Sequence, residues 1–240
     1  MTWPGQSAEV IERLRGLEGE IQLQRRGSDF EIIYNGVFLM ATYNGASEKE
    51  AVREALRLVS GRFAKPLNVL IGGLGVGYSL SEALACDRVG FVKVAELEPA
   101  VIRWNLEYLK EVNSNALEDP RTMLVTGDFR RVLEEDAPII KEIPVKSYHV
   151  IMADTDNGSS WLSLPQNSFF YSPRGLELIK NCLHPAGAAC FWCSRREEDF
   201  EARLKKYFSR VSFNSVMEKT GRDGCYYLAW DWHRKIGNHA

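Results

Sequence analysis

Hydrophobic residues near the N-terminus come in short β-prone runs, at 21–23, 30–34 and 37–42, parted by Arg25-Arg26-Gly27-Ser28-Asp29 and by Asn35-Gly36. An Asn-Gly pair between two such runs signals a tight hairpin, because both residues tolerate the positive φ of a twisted two-residue turn. A small antiparallel element is therefore predicted there, preceded by a helix over 7–17. Ser47-Glu48-Lys49-Glu50 has the form of a capping box, and Ala51, Ala55, Leu58 and Val59 follow along one face, which predicts a helix to about residue 60. From Leu67 the pattern alternates, with strands expected at 67–72, 90–96, 121–126, 147–153 and 187–193 and helices at 78–86, 99–112, 129–135, 168–184 and 196–207. Two further β-prone runs, 211–217 and 225–230, are joined by a connection too short for a parallel crossover, so they form a hairpin.

Alternating strands and helices imply a parallel sheet with helices on both faces. The expected fold class is α/β, a doubly wound, mostly parallel seven-stranded Rossmann-like sheet ending in an antiparallel hairpin, plus the small N-terminal β element. Residues 1–62 are expected to hold the first helix, the β element and a linking helix, and residues 63–240 the Rossmann-like domain. At 240 residues there is no room for a second large domain.

A formal net charge of −2, with arginine pairs scattered at 25–26, 130–131 and 195–196, gives no basic face for nucleic acid. The first fifteen residues lack the unbroken apolar core of a secretory leader, and no run is long enough to span a bilayer. A cytoplasmic location without membrane attachment is expected. The five cysteines show no disulfide framework spacing. Cys190 and Cys193 have the C-x-x-C form but fall in an expected strand, where positions three apart face opposite ways, so neither a metal nor a redox pair is expected.

Candidate chemistry begins at Leu67-Asn68-Val69-Leu70-Ile71-Gly72-Gly73-Leu74-Gly75-Val76-Gly77, an apolar strand turning into a helix through glycines that can take positive φ and lack Cβ atoms. Gly72, Gly73, Gly75 and Gly77 are therefore candidate cofactor-binding positions. In a doubly wound sheet, ligands bind outside the carboxyl ends of the strands. Glu96 ends the second strand, where a carboxylate can accept from both ribose hydroxyls. Asp128 follows the third, where it can accept from an adenine amino group, and Asp154 and Asp156 end the fourth, beside the reacting centre. Each also has a simpler reading as a helix cap or Asx turn. Together, however, the successive strands end in the residue types that a nucleoside ligand requires. A nicotinamide dinucleotide fits less well, because the third glycine of its fingerprint is missing and the C-terminal hairpin suits the S-adenosylmethionine-dependent methyltransferase fold better.

Val69-Leu70-Ile71-Gly72-Gly73, Ala95-Glu96-Leu97-Glu98-Pro99-Ala100-Val101-Ile102, Asp119-Pro120-Arg121 with Gly127-Asp128, Asp154-Thr155-Asp156, Phe169-Phe170-Tyr171 and Leu183-His184-Pro185-Ala186-Gly187 resemble the polyamine aminopropyltransferases, or spermidine synthases. By that resemblance Glu96 holds the ribose, Asp128 the adenine and Asp154 the attacking amine, the N-terminal β element covers the site, and the chain forms a homodimer. Three departures stand out. The family's loop aspartate, which grips the donor's ammonium, is matched by Gly75 or Val76. Asp154 and Asp156 are one residue closer than the family's two aspartates, and its tyrosine, histidine and glutamate are not evident around 44–50.

The expected activity is a spermidine synthase-like transfer of an alkyl, aminopropyl-type group from a sulfonium nucleoside to a small amine. S-adenosylmethionine or its decarboxylated form serves as co-substrate, and no metal is involved. Methyl transfer from S-adenosylmethionine to a small molecule is an alternative, as is a nucleoside-binding protein without catalysis. An ordinary aspartate pKa near 3.9 makes positioning and charge stabilisation the expected work of Asp154, ahead of proton abstraction.

Overall fold

Asn35 and Gly36 take φ of 50° and 75° and turn one strand back on the next, as their sequence implies. In the computed structural model, which describes residues 7–137, 148–155, 158–160, 162 and 164–232, this hairpin belongs to an antiparallel sheet. Its strands, in order, are β1 (Glu9–Arg15), β2 (Glu20–Arg26), β3 (Asp29–Tyr34) and β4 (Val37–Ala41). β1 corrects the helix expected over 7–17. A bulge between Val10 and Glu12 breaks the two-residue alternation, so Ile11 and Leu14 both pack against the core at a spacing that imitates a helix face.

The rest of the described chain is α1 (Ala46–Ser60), β5 (Leu67–Gly72), α2 (Tyr78–Leu84), β6 (Val89–Glu96), α3 (Pro99–Glu107), β7 (Thr122–Thr126), α4 (Phe129–Asp136), β8 (Tyr148–Ala153), α5 (Pro173–Cys182), β9 (Leu183–Cys193), α6 (Glu198–Leu204), β10 (Phe208–Met217) and β11 (Asp223–Trp232). They build a mixed α/β unit around a seven-stranded sheet of order β10-β11-β9-β8-β5-β6-β7. β5 to β9 run parallel, β11 pairs antiparallel with β9, and β10 pairs antiparallel with β11.

Strand alternation divides the core. Val69, Ile71, Val150, Met152, Ala188 and Cys190 face one layer, with the buried sides of α1, α2 and α3 and the small sheet. Leu70, Ile151, Ala153, Ala189, Phe191 and Cys193 face the other, with α4, α5 and α6. Cys190 and Cys193 thus sit on opposite faces, as expected. The single helix expected over 168–184 is instead a 3₁₀ turn, Pro165–Tyr171, followed by α5. Pro173 starts the new helix, the Ser172 hydroxyl accepts from the Gly175 N–H at 3.1 Å, and Gly175 lies so close to the Phe169 carbonyl that a Cβ would stand 2.0 Å from it.

The start of α1 departs from the capping box. Its N-cap is Gly45, without a side-chain cap bond, and the Ser47 hydroxyl donates to Glu48 at 2.6 Å instead. The free amides of Gly45, Ala46 and Ser47 are met from across the chain by the Glu218 carboxylate, at 3.0, 3.1 and 2.8 Å. Burial pushes the Glu218 pKa up, but these amides and the Ser47 side chain outweigh it and hold the carboxyl below its ordinary value. Glu218→Ala should strand those donors and cost about 1–3 kcal/mol, read as a lower midpoint of urea unfolding. Because the folded-state pKa is depressed, the charge-linked part of this stabilisation in the parent protein should be lost as pH falls below the ordinary carboxylate value and through the lowered one.

Candidate functional site

β6 and β7 lie on one side of β5 and β8 and β9 on the other, so the loop after β5 stands at the point where the winding of the sheet reverses. Over it lies a cavity of about 540 Å³, between the carboxyl ends of the parallel strands, the small sheet and the β10–β11 turn. Gly73, Gly75 and Gly77 take φ of 94°, 53° and 87°. Of the glycines singled out from sequence, Gly73 and Gly75 line the cavity and Gly72 and Gly77 do not. A Cβ on Gly72 would stand 2.3 Å from the Phe129 ring, and one on Gly77 would stand 2.8 Å from Asn113, so these two permit packing behind the loop.

The carboxylates expected from sequence are brought together on the cavity wall. Glu96, buried, accepts the Leu74 N–H from the loop and the Glu98 N–H, each at 2.8 Å. Burial pushes its pKa up against those two amides. Asp128 caps α4, with Oδ1 accepting the Arg130 N–H at 2.8 Å, and still lines the cavity. Glu98 caps α3 and accepts the Leu17 N–H of the small sheet at 2.9 Å. The structural and ligand-facing readings of these residues therefore coexist. Asp154 is half-buried beside the Ser79 hydroxyl, which donates to it at 3.1 Å. Burial, and then the nearby Glu48, push its pKa up to about 8. Asp156 lies outside the described residues.

Several residues on or behind the cavity wall carried no readable signal. Met40, on β4, puts its sulfur where a side chain on Gly75 would be, 2.5 Å from an added Cβ, and accepts the Val76 N–H at 3.3 Å. The Tyr78 hydroxyl donates to the Thr42 carbonyl, tying the chain after the small sheet to the first residue of α2. Glu48, in the first turn of α1, is buried on the cavity wall with its pKa raised by burial. Among the described lining residues, seven are carboxylates (Glu48, Glu96, Glu98, Asp128, Asp154, Glu218 and Asp223) and Arg222 is the single cation, so the cavity is built for positive charge.

A polyamine aminopropyltransferase of Escherichia coli O81 (strain ED1a) is 28% identical to this chain over 170 residues, covering 68% of this chain and 54% of the relative. One of Shigella boydii serotype 4 (strain Sb227) matches to the same extent. The chain spans about half the length of these curated relatives, and no protein-family model matches it. A spermidine synthase solved in complex with the transition-state analogue AdoDATO superimposes with a TM-score of 0.75 over 93% of this chain and 74% of its own, at 18% identity. The chain has a spermidine synthase fold. Spermidine synthase from Thermotoga maritima follows, with a TM-score of 0.71 over 93% and 73% of the two chains at 17% identity. In this chain's version of the spermidine synthase fold, the loop after β5 is filled by a thioether from the small sheet.

Gly75→Ala should therefore destabilise the protein twice over, through the positive φ and through contact with Met40, by about 1–3 kcal/mol for the backbone alone. Adding Met40→Ala should restore only the part due to the contact. A double-mutant cycle in thermal unfolding measures the coupling, and strictly additive effects would show that Met40 does not occupy that place.

Proposed function

We propose that this protein transfers an aminopropyl group from decarboxylated S-adenosylmethionine to a small amine. The observation that carries the reading is the cavity at the sheet's switch point, with seven carboxylates and one arginine on its described wall. The similarity to polyamine aminopropyltransferases supports it. Both reactants are cationic. The donor has a sulfonium and an ammonium, and the acceptor arrives as an ammonium. In this reading the wall as a whole supplies the negative potential that the missing loop aspartate would have supplied.

Glu96 accepts from the ribose hydroxyls while its amide partners hold it in place, and Asp128 uses the oxygen left free by the Arg130 amide to accept from the adenine amino group. The acceptor loses a proton to Asp154. Its lone pair forms the new C–N bond at the carbon attached to sulfur, the C–S bond breaks, and the electron pair leaves with methylthioadenosine. With its pKa pushed up to about 8, Asp154 is a far better proton acceptor than an ordinary aspartate, so it acts as a base as well as a positioning group. Methyl transfer has less support. The Val76 amide that could meet the carboxylate of S-adenosylmethionine already serves Met40, and that carboxylate would enter among like charges.

Calorimetry should show decarboxylated S-adenosylmethionine binding at least about tenfold more tightly than S-adenosylmethionine, a difference of about 1.4 kcal/mol. The reverse order would replace aminopropyl transfer by methyl transfer. Asp154 in the free protein is a carboxylate only above about pH 8, so kcat/KM for the acceptor should rise through that pH. Asp154→Asn should lose this limb, keep nucleoside affinity and rise only toward the amine's own pKa of about 10. An unchanged limb would remove Asp154 from the proton transfer.

A further inference from the structure

α2 begins where the glycine loop ends, and its first two residues bind in different directions. The Tyr78 hydroxyl donates back to the Thr42 carbonyl after the small sheet, whereas the Ser79 hydroxyl donates to Asp154 Oδ2 at 3.1 Å, joining α2 to the end of β8. Ser79 is 3% exposed and takes no part in capping α2, whose N-cap is Gly77 without a side-chain bond. A polar side chain buried this far needs a partner, and the partner it has is the carboxyl at the reacting end of the cavity.

Asp154 is otherwise held by its backbone. Its N–H donates to the Gly72 carbonyl at 2.9 Å, and its own carbonyl lies so close to Gly73 that a Cβ there would stand 2.2 Å away. These contacts fix where the residue sits, but they leave its carboxyl free to turn about the side-chain bonds. Among the described residues Ser79 is the single side chain that hydrogen-bonds this carboxyl, and Oδ1 has no such partner. A carboxylate pinned through one oxygen presents the other in a defined direction, which proton transfer to it requires.

The hydroxyl also suits both protonation states. Toward a carboxylate it donates, and toward a carboxylic acid it accepts, because a serine oxygen carries two lone pairs beside its hydrogen. Glu48 from α1 and Glu96 from β6 add to burial in opposing the ionisation of Asp154, and the Cys190 thiol of β9 is kept protonated by burial and then by Asp154. The Ser79 bond works the other way and favours the carboxylate.

We propose that Ser79 is a positioning residue for the transfer reaction, holding Asp154 through Oδ2 so that Oδ1 meets the attacking amine. This rests on the amine-transfer reading and adds to it a residue of α2. Ser79 does not line the cavity, so it acts through Asp154 and touches neither substrate.

The test is turnover of 1,4-diaminobutane with decarboxylated S-adenosylmethionine across pH, beside carbon-13 carboxyl NMR of the free protein. In Ser79→Ala the midpoint of the kcat/KM limb should move up by about one pH unit, the size expected when a charged group loses a hydrogen bond. Above that limb kcat should fall about tenfold, because the reacting oxygen is no longer held in place. Acceptor KM and methylthioadenosine affinity should stay within about twofold. Ser79→Thr, which keeps the hydroxyl, should return both the midpoint and kcat toward those of the parent. A merely structural serine would lower the unfolding midpoint and leave the pH limb in place, and that result would overturn the proposal, as would equal kcat in Ser79→Ala and the parent. The Asp154 carboxyl resonance, assigned by its loss in Asp154→Asn, should titrate at higher pH in Ser79→Ala, and unchanged titration would overturn the proposal without recourse to turnover. Absence of turnover in the parent would remove the amine-transfer reading and its positioning residue together, whereas an active parent matched by Ser79→Ala would remove Ser79 alone.

Discussion

One buried carboxylate, Glu96, holds the site in shape. It takes an amide from the glycine loop with one oxygen and an amide from the start of α3 with the other, so the loop after β5 and the helix after β6 share a single anchor. A fully buried carboxyl without donors would be strongly disfavoured, and the two amides compensate for its burial only if Leu74 and Glu98 stay where they are. The positive-φ path of the loop through Gly73 and Gly75 follows from that requirement. The close approach of β8 depends on it too, since a Cβ on Gly73 would stand 2.2 Å from the Asp154 carbonyl.

Around this anchor the protein accepts an electrostatic burden. Carboxyls from α1, β6, α3, α4, β8 and the β10–β11 turn converge on one cavity, and burial raises the pKa of Glu48, Glu96 and Asp154. Such an arrangement does little for the stability of the empty protein. It creates a negative potential in a place from which water is partly excluded, where a cation gains far more than it would at an exposed surface. Glu218 differs from the other three, because its charge is fully used by the amides that open α1 and its pKa is held low. Neighbouring carboxyls thus serve two ends, one fastening a helix and the others preparing a binding surface.

The small sheet is part of the site as well as its cover. Met40 fills the hollow above Gly75, Leu17 is bonded to Glu98, and Ile21, Leu23 and Ile32 join the same core layer as α1 to α3. The wall of the cavity therefore depends on packing between the two sheets.

The parallel sheet, its closing hairpin, the Asn35-Gly36 turn and the placement of Glu96, Asp128 and Asp154 at strand ends were legible in the sequence, because each depends on periodicity or turn chemistry within a few neighbouring residues. β1 was misread because its bulge gives Ile11 and Leu14 a helical spacing that only pairing with β2 resolves. The capping box failed because the carboxylate that accepts the first amides of α1, Glu218, is remote in the chain. Glu48 and Met40 gave no signal for the same reason: an acid in a first helical turn and a methionine in a strand are ordinary locally, and acquire meaning only from what is folded against them. The sequence by itself determined the order of strands and helices from β2 onward and the residue types at the strand ends, since these follow from local propensity and alternation. Only the tertiary structure decided which carboxyls share a cavity, which of them are satisfied by amides and which have their pKa raised by burial, because burial and long-range packing set those energies.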